Sequence, residues 1–310
     1  MSALICGSMA YDTIMVFHDK FKNHILPEKV HILNVSFLVP VMRREYGGCA
    51  GNIAYNLKML GEEPLIMATA GHDFEPYMQW LSQNGLSSEF IRILDNSYTG
   101  QAYITTDEDD NQITAFHPGA MNSSHLNSVP TDRRIQIGIV APDGKEGMQL
   151  HAEQFAELGI PFIFDPGQGM PMFNGAELLR FLELATWVTL NDYESELMQE
   201  RTGLSLEQMA ERVEALVITL GGSGSKIYTQ GECIHIPAAK PKALLDPTGC
   251  GDAYRAGLLY GLMNDLDWAI TGRIASLMGA IKIEHHGTQN HFFELDVFKQ
   301  RYRENFASSF

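Results

Sequence analysis

The stretch "DPTGCGDAYRAG", residues 246–257, sets a single carboxylate, Asp252, directly after a glycine-rich turn. Gly249 and Gly251 give that turn a conformation in which successive backbone N–H groups can point the same way. Small residues at helical spacing follow, so we predict that a helix begins near Asp252 and that its first donors form a site for an anion. A carboxylate beside an anion site needs an explanation, because two negative charges repel each other. The arrangement makes sense if the carboxylate takes a proton while the N–H groups stabilise negative charge on a transferred group.

A plain structural role explains the same residues, because Asp252 is also a good capping residue for a helix. Thr248 adds a hydroxyl to the turn, and Cys250 offers its backbone N–H. The pattern G-x-x-x-x-G-K-[ST] does not occur in the sequence, which excludes a P-loop enzyme as far as sequence can.

The elements that would position this turn alternate short apolar runs with longer helical patterns. Continuous apolar runs are typical of strands in a parallel sheet that is covered on both faces. We predict such strands at 3–6, 64–70, 135–140, 161–165, 185–190 and 215–220. Helices are predicted at 50–60, 74–84, 146–158, 194–201 and 206–214. The alternation predicts a doubly wound, mostly parallel α/β fold, in which ligands bind beyond the carboxyl ends of the strands.

Two segments, 14–46 and 99–117, interrupt this alternation with β-branched and aromatic residues. We interpret them as antiparallel strands of a small sheet that acts as a lid. A simple extension of the main sheet at its edge is the alternative. The acidic run Asp107–Asp110 lies between the two strand-like parts of the second segment and is interpreted as a solvated hairpin tip.

Length, charge and cysteine content limit the class of protein. The 310 residues suit one large α/β domain, 1–310, that carries the lid as an appendage. A formal net charge of −16 makes nucleic acid an unfavourable partner. The sequence has no apolar run near the ~18 residues of a membrane span, its first residues are interpreted as a strand and not as a signal peptide, and its four isolated cysteines suit a reducing, cytoplasmic setting.

Four motifs occur in an order that points to one family. The segment "DPTGCGDAYRAGLLYG" strongly resembles the C-terminal signature of the ribokinase-like, or PfkB, family of carbohydrate and nucleoside kinases, with Cys250 where alanine is common. The segment "YGGCAGNIAYNLKMLG", 46–61, is similar to the family's N-terminal signature, G-G-x-x-x-N-x-A. Asn191 and Glu194 match its N-x-x-E motif, and "ITLGGSGS", 218–225, matches its strand-to-glycine turn. The resemblance covers nearly the whole chain.

The resemblance implies an acceptor site near the N-terminal signature. Gly47 and Gly48 would let the ligand approach the backbone, while Asp12 and Asn52 would bind hydroxyls of a sugar ring. The alternatives are structural: Asp12 as a residue that caps a turn, and Asn52 as a buried amide that ties two loops together.

The resemblance also implies a metal site, in which Asn191 and Glu194 contact phosphate-bound Mg²⁺ through water. The alternative is an ordinary helix start, with Asn191 as the cap and an acid at the third position.

Further implied contacts concern ATP. Family members cover the nucleotide with the turn that here contains Thr219, Gly221, Gly222 and Gly224, and Thr248 would join them. A monovalent cation such as K⁺, held by backbone oxygens near Asp246 and Thr248, is another family feature. His285 and His286 lack a third metal ligand at suitable spacing and are interpreted as residues at a helix end near the nucleotide.

One motif departs from the family. Sugar-kinase relatives often have D-P-N with a nearby arginine, whereas this chain keeps Asp165 and Pro166 but has Gly167 in place of the asparagine. No role is assigned to this stretch.

Together these motifs predict an ATP-dependent kinase that phosphorylates a primary hydroxyl, with Asp252 as the base and the N–H groups of Gly249, Cys250 and Gly251 around the γ-phosphoryl group. Within the family, the sequence is most similar to prokaryotic adenosine and nucleoside kinases. A monomer or a homodimer is expected.

The lid supplies residues that could enclose a nucleobase: Phe17, Phe37, Tyr103, Phe116 and Met121. The alternatives are a kinase for a free sugar such as ribose or fructose, a phosphosugar kinase that uses Arg43 and Arg44, and a nucleoside sensor without catalysis.

Overall fold

The computed structural model describes residues 2–25, 32, 34–109 and 111–310. The described strands are β1 (Ser2–Cys6), β2 (Ala10–Val16), β3 (Val41–Gly47), β4 (Pro64–Gly71), β5 (Ile91–Leu94), β6 (Gly100–Thr106), β7 (Gln112–His117), β8 (Ile135–Val140), β9 (Phe162–Phe164), β10 (Trp187–Asn191), β11 (Ala215–Thr219), β12 (Ser225–Thr229) and β13 (Glu232–Ile236). The described helices are α1 (Cys49–Met59), α2 (Glu75–Gln83), α3 (Lys145–Glu157), α4 (Gly175–Leu184), α5 (Asp192–Thr202), α6 (Leu206–Ala210), α7 (Cys250–Met263), α8 (Trp268–Lys282) and α9 (Leu295–Phe306).

The large sheet has nine strands in the order β13-β12-β11-β10-β9-β8-β1-β4-β5. From β11 to β5 all neighbours are parallel, and only β12 and β13 at one edge are antiparallel. Helices cover both faces: Ile5 and Ile139 pack in the cluster that contains α1 and α7, while Leu4 and Val140 pack in the cluster of α3 and α4. The predicted mostly parallel α/β fold is confirmed.

The small sheet has the order β3-β2-β6-β7. The pairs β2–β3 and β6–β7 are antiparallel, but the central pair β2–β6 is parallel, so the prediction of an antiparallel sheet was wrong at its centre. The reason is topological, since β2 follows β1 and β6 follows β5, and β1 and β5 already run in the same direction in the large sheet.

The bounds of the two inserted segments also differ from the prediction. The first strand begins at Ala10 and not at residue 14, and residues 34–40 form no strand. Residues 26–31 and 33 of this segment lie outside the described part of the chain. The helix predicted at 206–214 ends at Ala210.

The hairpin tip at Asp107 is an ordered anchor and not merely solvated charge. Asp107 is buried, and its carboxylate accepts hydrogen bonds from the backbone N–H groups of Phe21 and Asn111, each at 2.9 Å. Asp110 lies outside the described residues. Across the ranges that are described, the helices are too short or too polar to cross a membrane.

Candidate active site

A cavity of about 1010 Å³ lies between the carboxyl ends of the large sheet and the small sheet. Asn191 at the end of β10 and Thr219 at the end of β11 line it from the large sheet. Asp12 and Phe116 line it from the small sheet, and Asp252 lies at the start of α7 between the two sides. The structure therefore brings residues of all the implied sites to one cavity.

Asp252 is held against the residue that is expected to bind the acceptor. Asn52 Nδ2 donates a hydrogen bond to Asp252 Oδ2 at 2.8 Å, across 200 positions of sequence. Burial raises the pKa of Asp252 to about 6, while the bond from Asn52 opposes this shift. A carboxyl with this pKa is ionised at neutral pH yet basic enough to take a proton. The N-cap of α7 is Gly249 and no side chain caps the helix, so Asp252 does not have the capping role of the structural alternative.

The turn before α7, the expected anion site, faces the cavity. Gly249 precedes the helix with φ 80°, in the left-handed region that favours glycine. Thr248, Gly249 and Gly251 line the cavity, whereas Cys250 is not among the described residues that line it. Gly249 and Gly251 have no side chain and line the cavity through their backbone, whereas the role expected for the Cys250 N–H stays a prediction.

A hydrogen-bonded chain fixes Asn52 from behind. Gln289 Nε2 donates to Asn52 Oδ1 at 3.0 Å and to the Tyr77 hydroxyl at 2.6 Å, and Trp80 Nε1 donates to Gln289 Oε1 at 2.9 Å. Asn52 is thus also the buried amide that joins two loops, as the structural alternative proposed. Sequence analysis missed Gln289 and considered only His285 and His286 in this stretch, as residues at a helix end near the nucleotide.

Asp12 and the two glycines of the N-terminal signature are packed closely together. A Cβ on Gly47 would lie 2.7 Å from Asp12 Oδ2, so Gly47 leaves room for this carboxylate and does not itself line the described cavity. Gly48 has φ 88°, and a Cβ there would lie 2.5 Å from the carbonyl oxygen of Ser8. Burial and the negative charge of Glu45 raise the pKa of Asp12 to about 6.

A buried group of charged side chains, Arg255, Asp165 and Glu194, lies at the wall of the cavity, and sequence analysis did not find it. The guanidinium of Arg255, one turn after Asp252, donates to both carboxylate oxygens of Asp165, from Nε at 3.0 Å and from Nη2 at 2.9 Å. Arg255 Nη2 also lies 4.0 Å from Glu194 Oε2. No signal next to Asp165 in the sequence indicated this partner, because Arg255 lies 90 positions away. Asp165, Glu194, Asp252 and Arg255 all line the cavity.

Asn191 and Glu194 form a capping box at the start of α5. Glu194 N–H donates to Asn191 Oδ1 at 2.7 Å, while Asn191 N–H and Nδ2 donate to the two Glu194 carboxylate oxygens at 2.8 and 2.9 Å. This is the geometry of the structural alternative. Within the described ranges no three His, Cys, Asp or Glu side chains form a metal cluster, so the Mg²⁺ role of this pair stays a prediction. Oxygen donors that are few in number do suit Mg²⁺, which keeps most of its water.

The glycine turn after β11 only partly faces the cavity. Thr219 and Gly221 line it, and Thr219 Oγ1 donates to the carbonyl of Leu190 at 3.3 Å. Gly222 is exposed, and Gly224 packs against β13, where a Cβ would lie 2.1 Å from the carbonyl oxygen of Ile236. Neither Gly222 nor Gly224 is among the described lining residues, so a direct ATP contact for them is not supported by this geometry.

The lid aromatics divide into two groups. Phe17 and Phe37 pack on each other with ring centroids 4.8 Å apart, and these two residues and Tyr103 are not among the described residues that line the cavity. Phe116 and Met121 do line the cavity.

The two arginines of the lid, Arg43 and Arg44, contact other residues of the small sheet and do not face the cavity. Arg44 lies over the ring of Tyr11 at 4.6 Å, and Arg43 pairs with Glu45 at 3.2 Å. Neither arginine is among the described lining residues, which removes the support for a phosphosugar site. His286 is exposed, and the His285 ring lies 6.1 Å from that of His291. Neither histidine belongs to a group of three potential metal ligands within the described residues.

The fold and this cavity suit a phosphotransferase that acts on an alcohol, in which Asp252 would be the base and the turn before α7 would bind the transferred group. A model of the pfkB family of carbohydrate kinases matches residues 10–294. The chain belongs to this family, and the resemblance found in the sequence is confirmed.

Several proteins that are similar to this chain over most of its length are named nucleoside kinases. A nucleoside kinase of Methanocaldococcus jannaschii is 30% identical over 276 residues, which is 88% of this chain and 91% of that protein. A solved structure of a nucleoside kinase of Burkholderia thailandensis with inosine has a TM-score of 0.90 and 50% identity, and the match covers 99% of both chains. The crystal structure of the M. jannaschii nucleoside kinase has a TM-score of 0.89 at 29% identity and covers 98% of both chains.

Proposed function

We propose that this protein transfers the γ-phosphoryl group of ATP to the 5′-hydroxyl of a purine nucleoside, with adenosine as the expected acceptor. The observation that carries the proposal is the 2.8 Å hydrogen bond from Asn52 to Asp252, since this bond joins the amide that would bind the acceptor to the carboxylate that would act as the base. The relatives named nucleoside kinase support the choice of acceptor, and one of their structures is described as a complex with ADP and inosine.

In the proposed reaction Asp252 takes the proton of the 5′-hydroxyl as the oxygen attacks the γ-phosphorus. The bond between the γ-phosphorus and the bridging oxygen of ADP breaks, and ADP leaves. The N–H groups of Gly249, Cys250 and Gly251 stabilise the negative charge on the transferring group. Mg²⁺, when bound, neutralises charge between the phosphates. Asn191 and Glu194 would hold it through its water ligands.

The ribose end of the acceptor would lie among Asp12, Gly48 and Asn52. Asp12 and Asn52 supply a carboxylate and an amide that suit hydroxyl groups, and both line the cavity next to Asp252. These residues serve the sugar and do not distinguish a nucleoside from free ribose. The choice must therefore be made at the other end of the cavity.

That other end combines apolar walls with one unusual carboxyl group. Phe116 and Met121 line it, and Asp143 lies beside them with 2% of its surface exposed. Asp143 Oδ1 accepts a hydrogen bond from Gly144 N–H at 2.9 Å, but Oδ2 has no partner among the residues that the structure describes. Burial raises the pKa of Asp143 to about 8, so at neutral pH this carboxyl is mostly protonated, and in the proposed complex it would donate to a ring nitrogen of the purine.

The proposal is tested by measuring kcat/KM for adenosine, inosine, ribose and fructose with ATP and Mg²⁺. A purine nucleoside should give the highest value, and Asp143→Leu should reduce that value while use of ribose changes little. If a free sugar gives the highest value, the nucleoside proposal fails and the sugar-kinase alternative replaces it. If no acceptor is phosphorylated although nucleosides bind, the sensor alternative is correct.

A cytoplasmic location and a role in purine recovery belong to the same proposal. All four cysteines are free, as expected in a reducing compartment, and the reaction requires ATP.

A further inference from the structure

Lys282, the last residue of α8, places an ammonium group inside the protein beneath the anion-binding turn. The side chain is fully buried, and Nζ donates to the carbonyl oxygen of Asp246 at 2.9 Å and to that of His285 at 3.0 Å. One carbonyl comes from the loop before α7 and the other from the turn after α8. The ammonium therefore joins the two segments that close this end of the cavity.

The Asp246 carboxylate completes the arrangement. Its Oδ1 accepts from Thr248 N–H and its Oδ2 from Gly287 N–H, each at 2.9 Å. An ammonium loses hydration when it is buried, and burial lowers the pKa of Lys282, but the charge of Asp246 opposes this shift. The burial is thus compensated by two carbonyl dipoles and one negative charge.

The ammonium also lies close to the turn that would hold the γ-phosphoryl group. A Cβ placed on Gly249 would lie 3.6 Å from Lys282 Cε, so the stem of the lysine passes directly under this glycine. A fixed positive charge here favours an anion at the N–H groups of Gly249 and Gly251, because electrostatic attraction is weakly screened inside a protein.

A bound monovalent cation does not fit this site. Such an ion would require backbone oxygens near Asp246, and the Asp246 carbonyl already accepts a hydrogen bond from Lys282. A second cation at the same oxygens would be repelled by the ammonium.

We propose that Lys282 is a built-in cation, which takes the place of a bound K⁺, positions the turn from Asp246 to Gly249 and makes phosphoryl transfer independent of monovalent ions. Lys282 is a positioning residue in this proposal, since it contacts the turn and not the reacting atoms. The catalytic part of the proposal rests on the proposed kinase activity, whereas the binding part does not.

The first experiment uses the unmodified protein. We expect kcat at saturating substrates to differ by less than about twofold between KCl and tetramethylammonium chloride at the same ionic strength, because no ion-binding step is required. The melting temperature should likewise be the same in the two salts. A kcat or melting temperature that rises clearly and saturably with KCl would overturn the proposal, since the carbonyls would then be holding an ion.

The second experiment replaces the lysine with Lys282→Met, which keeps the length of the side chain and removes the charge. We expect kcat to fall by about tenfold or more, as when one stabilising electrostatic group of such a site is lost. We also expect KCl, but not tetramethylammonium chloride, to raise both kcat and the melting temperature of this variant. A merely structural lysine would not produce this selective response to K⁺.

Lys58→Met is the matched control, because Lys58 pairs with Glu63 on the surface, away from the cavity. It should behave like the unmodified protein in both salts. A Lys282→Met variant with unchanged kcat and no response to KCl would overturn the proposal. If this variant does not fold, the salt comparison on the unmodified protein still decides the matter, and its melting curves do so even if the protein proves to lack kinase activity.

Discussion

Replacing Asp252 by asparagine separates the proposed base from its surroundings. The amide has the shape of the carboxyl group, and its oxygen can still accept the hydrogen bond from Asn52 Nδ2 that spans 2.8 Å in the structure. It cannot take a proton from the acceptor hydroxyl. We therefore expect kcat to fall by roughly 10²–10⁴, which is about 3–5 kcal/mol of transition-state stabilisation, with little change in acceptor binding.

The pH dependence of kcat gives a second readout. Because the pKa of Asp252 is raised to about 6, the carboxylate is present above this value and kcat should fall as the pH drops below it. Burial also raises the pKa of Asp12 to about 6, but in the proposed complex Asp12 would contact the acceptor and should affect KM more than kcat. The limb in kcat should disappear in Asp252→Asn and remain in Asp12→Asn.

The stability of the fold should depend on pH in the opposite direction to kcat, so far as Asp252 contributes to both. Because the folded-state pKa of Asp252 lies above the ordinary 3.8, the proton on this group stabilises the fold at low pH, and that contribution is lost as the pH rises through about 6. A neutral amide avoids the cost of a buried charge at about pH 7.5, so Asp252→Asn should melt no lower than the unmodified protein.

The assay is steady-state phosphoryl transfer at saturating ATP and acceptor, with melting curves measured in parallel. Asp296→Asn is the control, because Asp296 also lies in the first turn of a helix but is exposed. A loss of kcat below about fivefold in Asp252→Asn, far less than a general base contributes, would refute the assignment of Asp252 as the base.

Three further substitutions test the remaining parts of the cavity. Glu194→Gln should raise the Mg²⁺ concentration required for half-maximal activity with only a small loss in melting temperature, whereas early melting with an unchanged Mg²⁺ titration would favour a purely structural capping box. Phe116→Ala should lower kcat/KM for adenosine by about ten- to a hundredfold and leave free ribose nearly unaffected, and an equal loss for both would remove the stacking role. Asp165→Asn should lower stability by about 3–5 kcal/mol in denaturant titrations, because it leaves the guanidinium of Arg255 buried without its bidentate partner, and a loss below about 1 kcal/mol would contradict that reasoning.

The fold could be predicted because its signal is local. Runs such as "IQIGIV" are apolar on both sides, and a strand in this position packs against helices on both faces of the large sheet. The direction of β6 relative to β2 depends on where β1 and β5 lie in the large sheet, and no spacing within the small sheet contains that information.

Only those residues of the candidate site that belong to a short sequence motif could be predicted from the sequence. Asp252, Asn52 and Asp12 were found from their motifs, but the bond that joins Asn52 to Gln289 spans 237 positions and arises from tertiary packing. The pairing of Arg255 with Asp165 spans 90 positions for the same reason. The cationic role proposed for Lys282 could not be seen either, because in the sequence it is one lysine near the end of an apolar helix.

Gly48 alone connects β3 of the small sheet to α1, the helix that carries Asn52. A rotation of the small sheet at this connection would be passed directly to the helix behind it, because no longer loop separates the two elements. Binding of an acceptor by Asn52 would then be linked thermodynamically to the angle of the small sheet, and the linkage would be reciprocal. An acceptor that contacts both Asn52 and Phe116 would favour the sheet angle at which both contacts form, and that angle would strengthen its binding by the same factor.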